Sequence, residues 1–227
     1  MKEKKQTIIF IGVAVLVLVG VFILSSALNK SYILEISYDE YTKLKEEKDE
    51  NYVYTGSITT SIRAELNSFG KEKDTTIYYV NTESLDEEEK KEIDSDSFII
   101  LNDGEEKEKY NVNITKVTGE EYLKLIKEDG FHLMFIGSET CGYCTKFKDS
   151  IKTAQLFNHF DVYYLDLNTV TDETLYNKII ATEEYLQSNE WGTPTSFLYK
   201  DGKNLGVIPG YVTSEELVSF LKEYKAI

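Results

Sequence analysis

The chain holds only two cysteines, and they stand three residues apart in Cys141-Gly142-Tyr143-Cys144. Such spacing lets two sulfurs close a small disulfide across one helical turn. What the pair can do depends on the backbone that carries it. Phe131–Ile136 is an apolar run that predicts a strand. A short polar loop follows, and Cys141 opens a helix expected to run to about residue 155. A helix N-terminus presents unpaired N–H groups and a partial positive charge. Both stabilise a thiolate, and thiols so placed have pKa values of roughly 3.5–7.5 rather than about 8.5. Cys141 is then the exposed attacker, and Cys144 the partner that resolves a mixed disulfide. Two other readings stay open. One is a plain stabilising disulfide, which contributes little loop-closure entropy over so short a loop. The other is half a zinc site, completed by a second chain or by His132 and His159. His132 falls in the strand and His159 in an apolar run with Leu156, Phe157 and Phe160, places where histidine is more often packed than ligating.

Stepping outward from the cysteines, strands and helices alternate. A strand near 112–117 leads to a helix over 119–129 and then to the strand that ends at Ile136. Beyond the cysteine helix come a strand at 161–167 and a helix at about 172–188. One of the chain's two prolines, Pro194, follows. Strands at 195–200 and 205–209 form a hairpin around Asp201-Gly202-Lys203. A last helix over 214–225 is capped by Thr213 with Glu216 as its box partner. This order is an α/β pattern.

The same signals occur upstream. Ser37–Leu44 aligns without gaps on Thr118–Leu125 at an offset of 81, and Gly56-Ser57 falls on Gly137-Ser138. Each segment begins with a capping box, Ser37/Glu40 and Thr118/Glu121. Ile77–Val80 echoes Val162–Leu165, and Asp103-Gly104 echoes Asp201-Gly202, so the offset drifts to 98. The second copy therefore carries insertions, mostly between Asn168 and Trp191. At offset 81 Thr60 falls on Cys141 and Arg63 on Cys144; at offset 98 Asp96 falls on Pro194. The first copy keeps neither thiol nor proline. It also lacks a last helix, so either it is truncated or residues 119–129 serve both copies.

Charge sets the topology. The chain has 40 acidic and 25 Lys or Arg side chains in 227 residues, a formal charge of -15. That balance excludes a nucleic-acid binder, which needs clustered cations for phosphates. Lys2, Lys4 and Lys5 form a basic tip over residues 1–7, and residues 8–28 carry no charge at all. Twenty-one uncharged, mostly apolar residues match the roughly 20 of a membrane-spanning helix. A cleavable signal has a shorter apolar region, about 7–15 residues, although Ser25-Ser26-Ala27 could serve as its cleavage site. The expected topology is a single pass through the cell membrane, with the basic tip cytoplasmic. The acidic remainder lies outside, where disulfides persist. It divides into a first domain at 31–115 and a second at 116–227.

The segment GSETCGYCTKF … YYLDLN … WGTPTSFLYKDGK … GYVTSEELVSFL resembles the thioredoxin superfamily over residues 118–225. The resemblance implies two thioredoxin-like domains, the first degenerate, and a cis Thr193–Pro194 bond beside the cysteines. It implies catalysis by Cys141 and Cys144, with Thr193, Pro194, Gly142 and Tyr143 at the substrate. The redox-active disulfide would need no cofactor and no metal. Gly-Tyr between the cysteines, and threonine before the proline, look like the secreted disulfide isomerases. Phe135–Leu167 is similar to the bacteriocin transport accessory proteins of Gram-positive bacteria. One position departs from the family: a buried aspartate that assists proton transfer to the resolving thiol is replaced by Phe135. The implied function is a thiol–disulfide oxidoreductase acting on exported proteins or peptides, with an unidentified redox partner. The alternatives are a non-catalytic accessory protein that binds exported peptides, and a metal-binding protein.

Overall fold

In a computed structural model, residues 31–188 and 190–227 are described. The expected cytoplasmic tip and the membrane anchor at 8–28 lie outside them. Among the described residues, no helix is long and apolar enough to cross a membrane.

Local signals place most of the elements. Ser37 caps the first helix by accepting from the Glu40 N–H, while the Glu40 carboxylate accepts from the Ser37 N–H. Thr118 with Glu121, and Thr213 with Glu216, repeat that reciprocal pair. Each box satisfies backbone donors that a helix start otherwise leaves orphaned.

The first half, residues 33–111, runs β1 (Ile33–Glu35), α1 (Tyr38–Leu44), β2 (Asn51–Gly56), α2 (Thr60–Lys73) and β3 (Ile77–Asn81). A 3-10 turn at Thr82–Ser84 and a short α3 (Glu89–Glu92) lead to β4 (Ser97–Asn102) and β5 (Glu105–Asn111). The second half repeats this order. It comprises β6 (Thr115–Val117), α4 (Gly119–Leu125), β7 (Phe131–Gly137), α5 (Gly142–Gln155) and β8 (Val162–Asp166). A 3-10 turn at Leu167–Thr169, α6 (Glu173–Ile180) and α7 (Glu184–Gln187) follow. The half closes with β9 (Thr195–Lys200), β10 (Lys203–Pro209) and α8 (Ser214–Glu223). Thr115, where the sequence puts the domain boundary, is the first residue of the second sheet.

Each half forms one five-stranded sheet, in the orders β1-β3-β2-β4-β5 and β6-β8-β7-β9-β10. In both, the first three strands are parallel and the last two antiparallel. The mixed α/β architecture, with two such sheets, is consistent with two thioredoxin-like domains. The central strands β2 and β7 are buried along nearly their whole length, because helices cover both faces of each sheet.

Three sequence expectations change. The helix expected at 172–188 is two short helices, broken because Glu183 adopts an extended backbone and turns its carboxylate to Asn204 and Tyr199. The helix expected at 119–129 ends at Leu125. Its exit passes through Gly130, whose φ of +94° is open to glycine at little cost, and whose N–H donates to Asp201 Oδ1 at 2.8 Å. The strand expected at 112–117 is only Thr115–Val117, and Val112 instead packs in the first half's core.

The missing last helix has a definite explanation. Tyr122 and Ile126 of the α4 segment pack with Val117, Met134 and Phe197 of the second half, so this segment serves that half. The first half is truncated. The sheet face bearing α2 is completed by the second half instead: Leu156 joins the cluster of Tyr54, Ile62, Leu66 and Phe98. Phe157 stacks on Phe69 at 4.8 Å and meets Phe98 edge-on at 5.1 Å. Helix α5 thus packs against α2 as well as α8.

Candidate redox site

Cys141 is the N-cap of α5, with extended backbone, and its sulfur accepts from the Cys144 N–H at 3.1 Å. The helix therefore begins at Gly142, one residue later than the sequence suggests. Cys141 and Cys144 are disulfide-bonded, with Cα atoms 5.2 Å apart. Cys141 is partly exposed; Cys144 is buried at 1 % and packs among Leu133, Phe135, Phe147 and Tyr164. One sulfur can meet a substrate and the other cannot, which is the asymmetry that an attacking and a resolving cysteine need.

Strand β7 aims the pair. It ends in Gly137, where an added Cβ would lie 2.9 Å from the Tyr164 ring, 3.0 Å from Phe135 and 3.1 Å from the Cys144 sulfur. Glycine here lets the resolving sulfur approach the sheet. Phe135 is fully buried, edge-on to Phe147 at 5.2 Å and 4.8 Å from Tyr164. The floor beneath the disulfide is aromatic where the family pattern has a carboxylate.

The loop before β9 supplies the other wall. Thr193–Pro194 is cis, and the Thr193 carbonyl oxygen lies 3.4 Å from Cys141 Sγ. The Pro194 carbonyl accepts from the Gly210 N–H at 2.9 Å, tying this loop to the end of β10. Cys141, Cys144, Thr193 and Pro194 are thus brought together from two distant segments, Cys141 and Thr193 lying 52 residues apart in sequence. Gly142 is exposed with open space where a side chain would point. Tyr143 is 62 % exposed, with the Lys146 ammonium 5.3 Å over its ring.

Sequence reasoning missed Tyr211, which is 40 % exposed and 6.4 Å from Tyr143 ring to ring. The signal was its place directly after Gly210, beside the proline loop. The histidines lie elsewhere. His132 bonds the Asp129 carbonyl at the far end of β7, and His159 stacks on Tyr110 at 4.4 Å. Among the described residues, no group of three or more His, Cys, Asp or Glu could hold a metal ion.

The equivalent place in the first half corrects the offset. Thr59, not Thr60, is the N-cap of α2, and its hydroxyl accepts from the Ile62 N–H at 3.2 Å. Ile62, not Arg63, therefore occupies the buried position of Cys144. The cause is one fewer residue between Gly56 and the cap than between Gly137 and Cys141. Asp96 does stand where Pro194 stands: its carbonyl accepts from the Val112 N–H, as that of Pro194 does from Gly210.

Residues 120–225 match a family model described as a thioredoxin-like domain. No curated protein matches the chain. Among solved structures, thioredoxin from Aeropyrum pernix is 21 % identical, with 48 % of this chain and 84 % of that one covered and a TM-score of 0.38. Thioredoxin from Trypanosoma brucei brucei is 16 % identical, with coverage of 51 % and 93 % and a TM-score of 0.41. Thioredoxin-like proteins need no cofactor for thiol chemistry. A thioredoxin-like domain with a cysteine pair at disulfide distance supports a function of the thiol–disulfide oxidoreductase type.

Proposed function

We propose that this protein is an extracytoplasmic thiol–disulfide oxidoreductase, held at the cell membrane through residues 8–28 and acting on exported proteins or peptides. The observation that carries the reading is Cys141: a partly exposed helix-cap sulfur, bonded to a buried partner and lying beside the Thr193 carbonyl. In the oxidising direction, a substrate thiolate attacks Cys141 Sγ. The Cys141–Cys144 bond breaks, and Cys144 leaves as a thiolate. A second substrate thiolate then attacks the substrate sulfur of the mixed disulfide; the substrate disulfide forms, the bond to Cys141 breaks, and Cys141 leaves as a thiolate that, with Cys144, takes up protons to give the enzyme dithiol. Reduction is the reverse, and the two electrons come from or pass to an unidentified redox partner. Thr193 and Pro194 line the approach, and Gly142 and Tyr143 form the face that a substrate segment meets. A place among the bacteriocin transport accessory proteins fits the Phe135–Leu167 pattern and belongs to this proposal.

An insulin-reduction assay with a redox titration tests the activity. Turnover in either direction supports it, and inert but accessible thiols sink it. The variant Cys144→Ser should hold substrates on Cys141 as mixed disulfides, which mass spectrometry would identify. The second reading, a non-catalytic accessory protein, draws on the first half, which keeps the frame with neither thiol nor proline. Full retention of the cellular phenotype by the Cys141→Ser/Cys144→Ser double variant would favour it.

A further inference from the structure

Lys148 follows Cys144 by four residues on α5, one turn on and on the same face. Side chains in helices lean back toward the N-terminus, so Lys148 runs back over the turn that holds Cys144. Its ammonium ends 4.0 Å over the Tyr164 ring and 3.3 Å from the carboxylate of Glu139, two residues before Cys141. The same Tyr164 ring converges with the Cys144 sulfur on Gly137. The cation is therefore held by two unlike contacts, a ring face and a carboxylate, and that ring borders the Cys144 sulfur at Gly137.

The other groups facing this spot are few. Tyr164 on β8 is 2 % exposed, and its hydroxyl has no hydrogen-bond partner. Burial, with Asp166 and Glu139 nearby, pushes its phenol well above the ordinary range. It therefore stays neutral and cannot serve as a base. Asp166, also on β8, is buried and lies 3.6 Å from Lys116 of β6, which is in turn 3.5 Å from Glu139. Strand β7 and helix α8 contribute Leu133, Phe135 and Leu217 to the Cys144 cluster.

Building on the oxidoreductase reading, we propose that Lys148 is the positioning residue for the resolving step: its ammonium stabilises the Cys144 thiolate where Phe135, not a carboxylate, lies beneath the disulfide. In that step Cys144 gives its proton to solvent and attacks Cys141 Sγ in the mixed disulfide. The Cys141–Cys144 bond forms, the Cys141–substrate bond breaks, and the substrate sulfur leaves as a thiolate that takes up a proton. Lys148 exchanges no proton or electron; it favours the charged nucleophile.

The test is a pH titration of the lone Cys144 thiol in the full-length Cys141→Ser protein, followed by the ultraviolet absorbance of the thiolate. Adding Lys148→Met should raise the midpoint by about half a pH unit or more, and Lys148→Arg should leave it near its starting value. Glu139→Gln, which removes the opposing charge, should lower it. An unchanged midpoint in Lys148→Met, or movement of Lys148→Met and Glu139→Gln in the same direction, overturns the proposal. No substrate enters this measurement, so its result is separate from the insulin assay. Inactivity toward insulin with the Lys148 shift present would remove the enzyme reading and leave the electrostatic role standing.

Discussion

The two halves share one sheet order, and at the place of the cysteines they differ in a handful of atoms. Helices α2 and α5 are both 14 residues long, and each begins on a cap whose side chain accepts from the third N–H beyond. In one half that acceptor is the hydroxyl of Thr59, in the other the sulfur of Cys141. The buried position one turn on is Ile62 or Cys144, and the residue before the fourth strand is Asp96 or Pro194. Neither the sheet order nor the cap geometry requires the sulfurs. The fold is satisfied by oxygen and hydrocarbon, and the redox centre is chemistry set upon it.

The largest effect that would break this comparison is loss of the sulfur itself. Cys141→Ser should preserve the cap, because a hydroxyl serves Thr59 equally well, while insulin reduction falls to the uncatalysed background. Retained turnover would show that the halves do not differ where their geometry says they do. Next is the shared core. Leu156→Ala should cost about 2–5 kcal/mol. Although Leu156 lies in the second half, the loss should be felt by the first, so urea should unfold both in one transition. Two separate transitions would show that the halves are independent. A smaller effect is expected at the first half's cap: Thr59→Ala should cost about 1–2 kcal/mol, because the hydroxyl caps α2 and also donates to Asp149 Oδ1 on α5 at 2.5 Å, and should leave turnover unchanged, since Thr59 touches neither cysteine.

The smallest effect concerns pH. The carboxylates of Glu40, Glu121 and Glu216 are each held below their ordinary value of 4.5, first by the N–H of the capping residue and then by its hydroxyl. Their folded values lie below their unfolded ones, so their stabilisation is fully present above about 4.5 and fades as pH falls through the folded values. Glu216→Gln should flatten the acid limb of the urea midpoint, and so should Glu40→Gln in the other half. A change from one half alone would separate their stabilities.

Much of this was legible in the sequence because it was local. Capping boxes, Asp-Gly turns and the Cys-x-x-Cys spacing each act within four residues, and each appears where the pattern placed it. The gapless alignment of residues 37–44 on 118–125 showed the repeat for the same reason. What escaped was long-range. Glu183 breaks a periodic helix because Tyr199 and Asn204, 16 and 21 residues away, claim its carboxylate. The one-residue shift from Thr60 to Thr59 came from loop length, which alignment by offset cannot see. Lys148 drew no notice because its meaning lies in Tyr164 and Glu139, and Tyr211 because its meaning lies in Tyr143. The membrane anchor rests on composition and falls outside the described residues.

Leu156 and Phe157 sit at the end of the helix that carries the cysteines, yet they finish the core of the other half. A chain cut at residue 115 would therefore leave two damaged products. The first would present a bare apolar face around Phe69 and Phe98, and the second would carry Leu156 and Phe157 into water. With no last helix of its own, the first half closes its core only with residues from the second. The half without cysteines is completed by the end of the helix that carries them.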